Sequence, residues 1–164
     1  LALLIYVPKV AFLYAVAYML MMTVLRFMDS LQHDYPYNLT LFEFERPPRK
    51  GDFAWEQEHT FSNPHSLRAD WPNWFTLNFG FHNAHHDDMT VPWYRLPEKH
   101  REMFGRSPDA VIPLSAQLRI FHKQRVQRIV GNHDGEVPEG RAYLRAAQRA
   151  EVYGGNAASF LTSF

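Results

Sequence analysis

Three histidines fall within five consecutive positions of this chain, in the stretch NFGFHNAHHDDMTVPWYRLP at residues 78–97. If residues 82–86 form a helix, His82, His85 and His86 project within a sector of about 100°, because each residue turns the helix by about 100°. Imidazole is the commonest protein ligand for transition metals and suits iron, zinc, copper and nickel alike. The spacing predicts a metal-facing triad; the alternative is a polar turn that happens to be rich in histidine.

Polar residues near the triad are candidates for orienting it. Asn78 lies one turn before His82 and Asp87 follows His86, so either could form a hydrogen bond with a ligand imidazole. His33 and Asp29 form a second candidate pair, four residues apart at the end of an apolar stretch, with a purely structural pair as the alternative. For the other histidines we expect solvated or ordinary turn positions: His59, His65, His100, His122 and His133.

Composition excludes several kinds of site. The 164 residues suit one domain, and 17 basic against 17 acidic residues give zero net charge, so no global basic surface predicts a nucleic acid partner. The chain has no cysteine, which excludes disulfides, thiolate zinc sites, iron-sulfur ligation and a cysteine nucleophile. A bound metal must therefore be held by histidine or carboxylate side chains.

The mean hydropathy of -0.35 averages over an apolar N-terminal segment and a polar remainder of the chain. The first 25 residues contain one charge, Lys9, and residues 10–25 contain none. As a helix these 16 residues cover about 24 Å, against a hydrocarbon core of roughly 30 Å that flanking residues can help to span. We predict a transmembrane helix at about residues 8–28; the alternative is a buried core helix of a soluble domain.

Basic residues predict the orientation of this helix. Lys9 stands alone before the helix, whereas several basic residues follow its other end: Arg46, Arg49, Lys50 and Arg68. The positive-inside bias places residues 29–164 in the cytoplasm. If the helix continues through His33, that side chain emerges just outside the bilayer on the same side. Because the sequence starts within an apolar run, we expect it to be the C-terminal part of a longer protein.

The remaining periodicity predicts an all-α protein, with a cytosolic helical cap that carries the histidine site. Asp70 is a candidate N-cap for a helix that runs on through the triad, and Pro72 suits its first turn. One short extended piece is expected at residues 39–44. The helix at 113–130 lacks acidic residues and could lie on an anionic membrane surface or pack on the cap. The predicted helices cover residues 53–61, 69–87, 97–105, 113–130 and 141–153.

At residues 18–104 the chain resembles the membrane fatty acid desaturases. NFGFHNAHH resembles the third histidine box of that family, roughly N-x-G-x-H-x-x-H-H, and PWYRLP resembles the segment that follows it. FMDSLQHDY is similar to the family's LQH element at the cytoplasmic end of the last membrane helix, and EQEHTFSNP is similar to bacterial members. The box with its asparagine and glycine is the most specific of these features.

The resemblance implies two non-haem iron ions held by histidines, with His82, His85 and His86 as ligands and His33 as an extra ligand. Asp29 occupies the position one turn before that extra ligand, where some relatives carry a polar residue near the metal. The resemblance names no catalytic residue apart from the metal ligands and no organic cofactor site. It implies dioxygen as co-substrate, and reduced iron supplies chemistry that no side chain can.

The implied reaction introduces a double bond into a fatty acyl chain. The substrate would be a fatty acyl lipid, an acyl-CoA or an acyl-carrier conjugate, and a ferredoxin or small cytochrome would supply electrons. The protein would sit among membrane lipids, in the plasma membrane if bacterial, with the metal site on the cytoplasmic side. Residues 1–164 would be the C-terminal part of one desaturase domain.

Two alternatives remain open. A membrane di-iron hydroxylase or carotenoid-modifying oxygenase shares the same ligand set, and a non-enzymatic, membrane-anchored metal-binding module would need no further boxes. The family's first two boxes, H-x(3 or 4)-H and H-x-x-H-H, have no counterpart in these 164 residues outside the third-box stretch HNAHH, which contains the only adjacent histidine pair, His85-His86. We therefore expect a desaturase-type oxidoreductase as the full-length protein and an inactive chain when these residues are isolated.

Overall fold

A long apolar helix precedes several short helices that are joined by turns. The computed structural model describes residues 5, 7–34, 49, 51–130 and 138–152, with residues 123–130 described by their backbone. Within these residues there is no β-strand, and the backbone forms two isolated bridges, His33 with Thr60 and Ser62 with Val111. The α-helices are α1 Pro8–Asp29, α2 Phe53–Glu58, α3 His82–Asp87, α4 Leu96–Phe104, α5 Leu114–Val130 and α6 Gly140–Gln148. Single 3-10 turns occupy Trp71–Thr76, Trp93–Arg95 and Pro108–Ala110.

Helix α1 matches the predicted span at about 8–28. Pro8 begins it, where the missing backbone N–H costs nothing, and its 22 residues extend about 33 Å. The helix is long and apolar enough to cross a membrane, and none of its apolar window is buried within the described part of the chain. The core helix of a soluble domain would be mostly buried, so this exposure speaks against that alternative. That α1 crosses a membrane stays a prediction.

Helix α1 does not continue to His33. The helix ends at Asp29, with Ser30 as its C-cap, and residues 30–32 form a turn. Long-range hydrogen bonds replace helical ones here: Asn63 Nδ2 donates to the Met28 carbonyl at 2.7 Å, and Phe61 N donates to the Gln32 carbonyl at 2.8 Å. His33 therefore reaches its position through a bridge to another segment.

The predicted continuous helix at 69–87 is wrong. It is divided into the 3-10 turn Trp71–Thr76 and helix α3, because Leu77 and Asn78 both adopt the left-handed region, with φ of 50° and 57°. Asp70 caps no backbone N–H, and its carboxylate pairs with Arg101 at 3.2 Å. At Gly80 an added Cβ would lie 2.8 Å from the Pro64 Cα, so only glycine fits where these backbones meet.

Two apolar clusters hold the short helices. The larger one joins the turn after α1 to the segment around Phe61, to α5 and to α6; its buried members are Leu31, Phe61, Ile112, Ala116, Ile120, Tyr143, Ala146, Ala147 and Val152. The smaller one fixes α3 on α4 through Phe81, Ala84 and Leu96. Burial of these side chains stabilises the packing of the short helices by roughly 25 cal/mol per Å² of apolar surface.

Several of the predicted helices appear near their expected bounds. Helices α2, α4 and α5 fall within 53–61, near 97–105 and within 113–130, and α6 is shorter than the predicted 141–153. The first part of α5 packs on the end of α1, where Gln117 Nε2 donates to the Phe27 carbonyl at 2.6 Å. The extended piece expected at 39–44 lies outside the described residues.

Helix α6 is fastened to the residue next to His33. Asp34 is 4% exposed, and its carboxylate Oδ2 accepts a short hydrogen bond from the Gly140 backbone N–H. Gly140 has φ of 54°, a left-handed conformation that suits glycine, at the first position of α6. Fully buried Tyr143 then stacks on Phe61, with ring centroids 5.1 Å apart. The last described helix therefore packs directly on the segment that carries His33.

Candidate metal centre

Three histidines from two parts of the chain converge on one point. His82 and His86 lie one turn apart on α3, and His33 approaches them from the turn after α1. Each offers a ring nitrogen, and these nitrogens all lie within 4.8 Å of one another. The Nε2 atoms of His33 and His82 are 2.9 Å apart, and the ring centroids of the three side chains are 4.6–4.9 Å apart. We call these three residues the histidine cluster.

Thr60 orients the ring of His33. The two residues form an antiparallel bridge, and Thr60 Oγ1 lies 3.3 Å from His33 Nδ1. The hydroxyl hydrogen is directed to the Glu56 carbonyl at 2.7 Å, so Oγ1 accepts the proton of His33 Nδ1. The lone pair of His33 Nε2 then faces His82, which is the arrangement of a metal-ligating imidazole.

Asn83 anchors helix α3 from the face next to the histidines. Its side chain is 5% exposed; Oδ1 accepts from Ser62 Oγ at 2.9 Å, and Nδ2 donates to the Thr60 carbonyl in a short bond. Gln57 Nε2 donates to the Asn83 carbonyl at 3.2 Å. The network fixes the rotation of α3, so that His82 and His86 face His33 and not the apolar core.

Burial keeps the cluster neutral. Desolvation by burial, with the nearby His86, lowers the pKa of His33 to about 3. Burial also lowers the pKa of His82 well below its usual value, with further repulsion from His33, His86 and His85. The pKa of His86 falls for the same first reason, partly offset by the Glu56 carboxylate. Neutral imidazoles present free lone pairs, the form that binds a metal cation.

The cluster fits a transition metal ion. Two imidazole nitrogens that bind one ion at 2.0–2.1 Å and at right angles lie about 3 Å apart, close to the 2.9 Å between His33 and His82. His82 is 5% exposed and its Nδ1 has no hydrogen-bond partner among the described residues. A buried imidazole with an unpaired nitrogen costs free energy, and a cation bound at Nε2 would contribute binding free energy against that cost while Nδ1 stays unpaired.

His85 lies beside the cluster and outside it. Its ring centroid is 5.9 Å from those of His82 and His86, and it packs on Phe79 at 5.0 Å. Helical spacing correctly placed three imidazoles on neighbouring faces of α3, but His33 and not His85 completes the group of three converging nitrogens.

The expected orienting residues contact other groups. Asn78 is fully buried and donates from Nδ2 to the Trp93 carbonyl at 3.0 Å. Asp87 Oδ2 pairs with Lys99 Nζ at 2.6 Å, which joins α3 to α4. Asp29 is half-buried at the end of α1, four residues before His33. Thr60 and Asn83 hold the histidines instead; Asn83 stands inside the H-N-A-H-H pattern, and Thr60 within EQEHTFSNP.

His59, expected on a solvated face, and His100, expected in an ordinary turn, are both buried. His59 is 5% exposed, stacks on Trp55 at 4.2 Å and hydrogen-bonds the Trp55 carbonyl through Nδ1 at 2.9 Å. His100 is 1% exposed between Phe81 and Phe104. The Trp55 to His59 spacing of four residues could have indicated the first contact. His65 lies 3.3 Å from the Thr76 hydroxyl, His122 is exposed, and His133 lies outside the described residues.

A surface cleft of about 560 Å³ opens behind this network and does not include the histidine cluster. Gln57, Thr60, Asn83 and Arg141 are among the residues that line it.

In comparisons with known proteins, residues 1–117 match the family model for fatty acid desaturases. No curated protein and no solved structure matches the chain. The matched residues include every member of the histidine cluster and end before α6.

Proposed function

Because the chain belongs to the fatty acid desaturase family, we propose that it acts within a membrane-bound di-iron oxidoreductase that introduces a double bond into a fatty acyl chain. The reaction would use dioxygen and electrons from an external donor. The observation that carries this proposal is the convergence of His33, His82 and His86 immediately beyond the end of apolar helix α1.

The four histidines would supply part of the ligand set for two non-haem iron ions. His33, His82 and His86 would hold metal through the converging nitrogens, and His85 would contribute from the adjacent face of α3. Iron, when bound, activates dioxygen for removal of hydrogen from an unactivated alkyl carbon. The chain's own contribution is to keep the imidazoles neutral by burial and to fix their directions through Thr60 and Asn83.

The proposed location follows from α1. Helix α1 would span the bilayer, with residues 29–164 as a cytosolic cap, so the cluster would lie at the cytoplasmic membrane face, in a bacterium that of the plasma membrane. A fatty acyl lipid, acyl-CoA or acyl-carrier substrate would reach it from the bilayer side. A ferredoxin or small cytochrome would deliver electrons from the cytosol. In this proposal residues 1–164 form the C-terminal part of one desaturase domain.

Product analysis of the full-length protein tests the proposal. The protein, its His82→Ala variant and its His122→Ala variant are expressed in a host membrane, and the acyl products are identified by gas chromatography with mass spectrometry. We expect a new double bond with the parent and with His122→Ala, whose side chain is exposed on α5, and none with His82→Ala. Iron is measured in each purified protein.

Other products would contradict the reaction in distinct ways. An inserted hydroxyl group would assign the chain to a related di-iron hydroxylase or oxygenase. Stoichiometric metal with no altered lipid in any host would favour a metal-binding module. A parent protein without metal would contradict the assignment of the cluster itself.

A further inference from the structure

An uncharged aromatic segment, residues 71–81, precedes the histidine helix. Its sequence, WPNWFTLNFGF, contains no Asp, Glu, Lys or Arg. Five of its large side chains are exposed by 43–82%: Trp71, Trp74, Phe75, Leu77 and Phe79. Aromatic side chains offer roughly 150–250 Å² each, so the segment exposes several hundred Å², about as much as the largest apolar patch of an ordinary monomer. An apolar patch of this size is often a functional contact surface.

Hydrogen bonds fix the inner side of this aromatic segment. Buried Asn73 donates from Nδ2 to the Ser66 carbonyl at 2.8 Å and accepts from Ser66 N at 3.1 Å. Since Asn73 points inward from the 3-10 turn, Trp74 and Phe75 are directed outward. Leu77 follows in the left-handed region, which is costly for a residue with a Cβ, and is 56% exposed. The outward aromatic side chains therefore belong to a firmly held turn.

The aromatic segment is tied to the end of α1. Gln32, three residues beyond that helix, donates from Nε2 to the Phe79 carbonyl at 3.3 Å. Asn63 donates from Nδ2 to the Met28 carbonyl and from its backbone N to the Gly80 carbonyl, both at 2.7 Å. These bonds connect the last turn of the apolar helix to the C-terminal part of the aromatic segment.

We infer that the aromatic segment lies in the bilayer interface, with Trp74 and Phe75 among the lipid headgroups and upper acyl carbons. Trp is enriched at this depth because its indole has an apolar body and a polar N–H. The nearest preceding charge, Asp70, is satisfied by Arg101 on the cap and need not enter the lipid. An open row of exposed side chains suits a lipid surface, whereas a single bound acyl chain needs an enclosing channel.

Interfacial insertion would fix the depth of the metal centre. The ring of Phe79 packs on His82 at 5.3 Å and on His85 at 5.0 Å, so the aromatic segment and the cluster move together. The inference rests on the proposed placement of α1 in a membrane, but it needs neither the metal nor the reaction.

Fluorescence quenching by brominated lipids tests the inference. The full-length protein is prepared with Trp74 as the only tryptophan, the others being replaced by phenylalanine, and is reconstituted into lipid nanodiscs. Phospholipids carry bromine close to the glycerol end or close to the methyl end of the acyl chain. We expect bromine near the glycerol end to quench Trp74 more strongly. A tryptophan-free chain with Phe75→Trp, the most exposed of the five positions, serves as a second reporter.

A third reporter separates this inference from the membrane placement of α1. Met19→Trp, near the middle of α1 and 64% exposed, should be quenched most by bromine near the methyl end. If Met19→Trp is quenched and both segment reporters are not, the inference is wrong and the proposed placement of α1 stands. If none of the three is quenched by either lipid, both are wrong.

Water-soluble iodide identifies what else could cover the aromatic segment. Strong iodide quenching without bromine quenching would show that Trp74 faces water. Resistance to both quenchers would show that protein covers it, either another segment or a second copy. Quenching by a brominated free fatty acid but not by brominated phospholipid would make it an acyl-binding surface. Each of these results overturns the inference.

Discussion

The histidine cluster, with buried His82 and half-buried His33 and His86, and fully buried His100 on α4 are two histidine sites that differ in what surrounds them. In both, burial is the main cause of a lowered pKa, to about 3 for His33 and to about 4 for His100. His33 meets the ring nitrogens of two other histidines, whereas His100 lies between Phe81 and Phe104, with ring centroids at 5.1 Å. Burial alone keeps a histidine neutral; convergence of nitrogens is what makes a metal site.

The two sites also differ in how their free-energy cost is offset. Neither ring nitrogen of His100 has a hydrogen-bond partner among the described residues, a cost of about 1–3 kcal/mol for each unsatisfied polar group. A metal ion bound to the cluster would offset the cost there. No such compensation is available to His100 from its aromatic neighbours. Four experiments test this difference between the two sites.

The largest effect is expected from His82→Ala. Removal of a central ligand should lower iron affinity by more than about 100-fold, the upper range for loss of a mere orienting partner. The full-length protein is purified and its iron content per chain is measured by mass spectrometry, with His122→Ala as the matched histidine control. Unchanged iron in His82→Ala would contradict the assignment of the cluster.

Asn83→Leu should act through position and not through ligation. The change removes the acceptor of the Ser62 hydroxyl hydrogen and the amide donor to the Thr60 carbonyl, and it should lower the free energy of unfolding by roughly 2–3 kcal/mol. It should also weaken iron binding by about 10-fold or more, since α3 loses its anchor. Thermal unfolding in detergent and iron titration measure the two effects. Glu102→Gln, exposed on α4, is the control, and equal behaviour of the two variants would refute the role of Asn83.

The metal-free protein should lose stability in acid. Because the folded pKa of His33 and His100 lies below the ordinary value of 6.5, the unfolded chain binds more protons below pH 6.5. The contribution of these two neutral histidines to the free energy of unfolding is complete above pH 6.5. It declines as the pH falls toward about 4 for His100 and about 3 for His33. Each can cost up to about 1.4 kcal/mol per pH unit. Unfolding midpoints measured from pH 7.5 to 5 should fall, and a flat profile would contradict the burial of these rings.

The smallest effect is expected from His100→Leu, and its sign is opposite. An apolar side chain of similar size removes two unsatisfied nitrogens from the space between Phe81 and Phe104, so stability should rise by about 1 kcal/mol. The acid slope should become shallower by the share of one histidine, while iron content stays unchanged. A loss of iron in His100→Leu would erase the distinction between the two sites.

Features that depend on local spacing were predictable from the sequence. The uncharged run predicted α1, and the intervals between His82, His85 and His86 predicted imidazoles on neighbouring faces of α3. Family membership followed from the histidine box and is confirmed by the match over residues 1–117. Metal binding by His33, His82, His85 and His86 stays a prediction.

Features that depend on distant partners were not predictable. The end of α1 is set by Asn63, 35 residues away, and Asp87 is drawn to Lys99 on the next helix. The helix expected through residue 80 breaks where Leu77 and Asn78 adopt the left-handed region, and the Asn78 side chain bonds the Trp93 carbonyl, 15 residues away. Burial of His100 likewise depends on how α4 packs on Phe81. None of these contacts leaves a periodic signal in the sequence.

Because Gly140 N donates a hydrogen bond to Asp34, the residues that support the histidine cluster extend beyond the residues that match the family. The match to the family ends at residue 117, yet α6 donates a hydrogen bond to one oxygen of the buried carboxylate next to His33 and packs Tyr143 in the same apolar cluster as Leu31 and Phe61. A chain shortened to the matched residues would retain every histidine of the cluster and lose the brace behind one of them. The family match therefore contains all three histidines of the cluster, whereas a chain that also keeps their structural support must include α6.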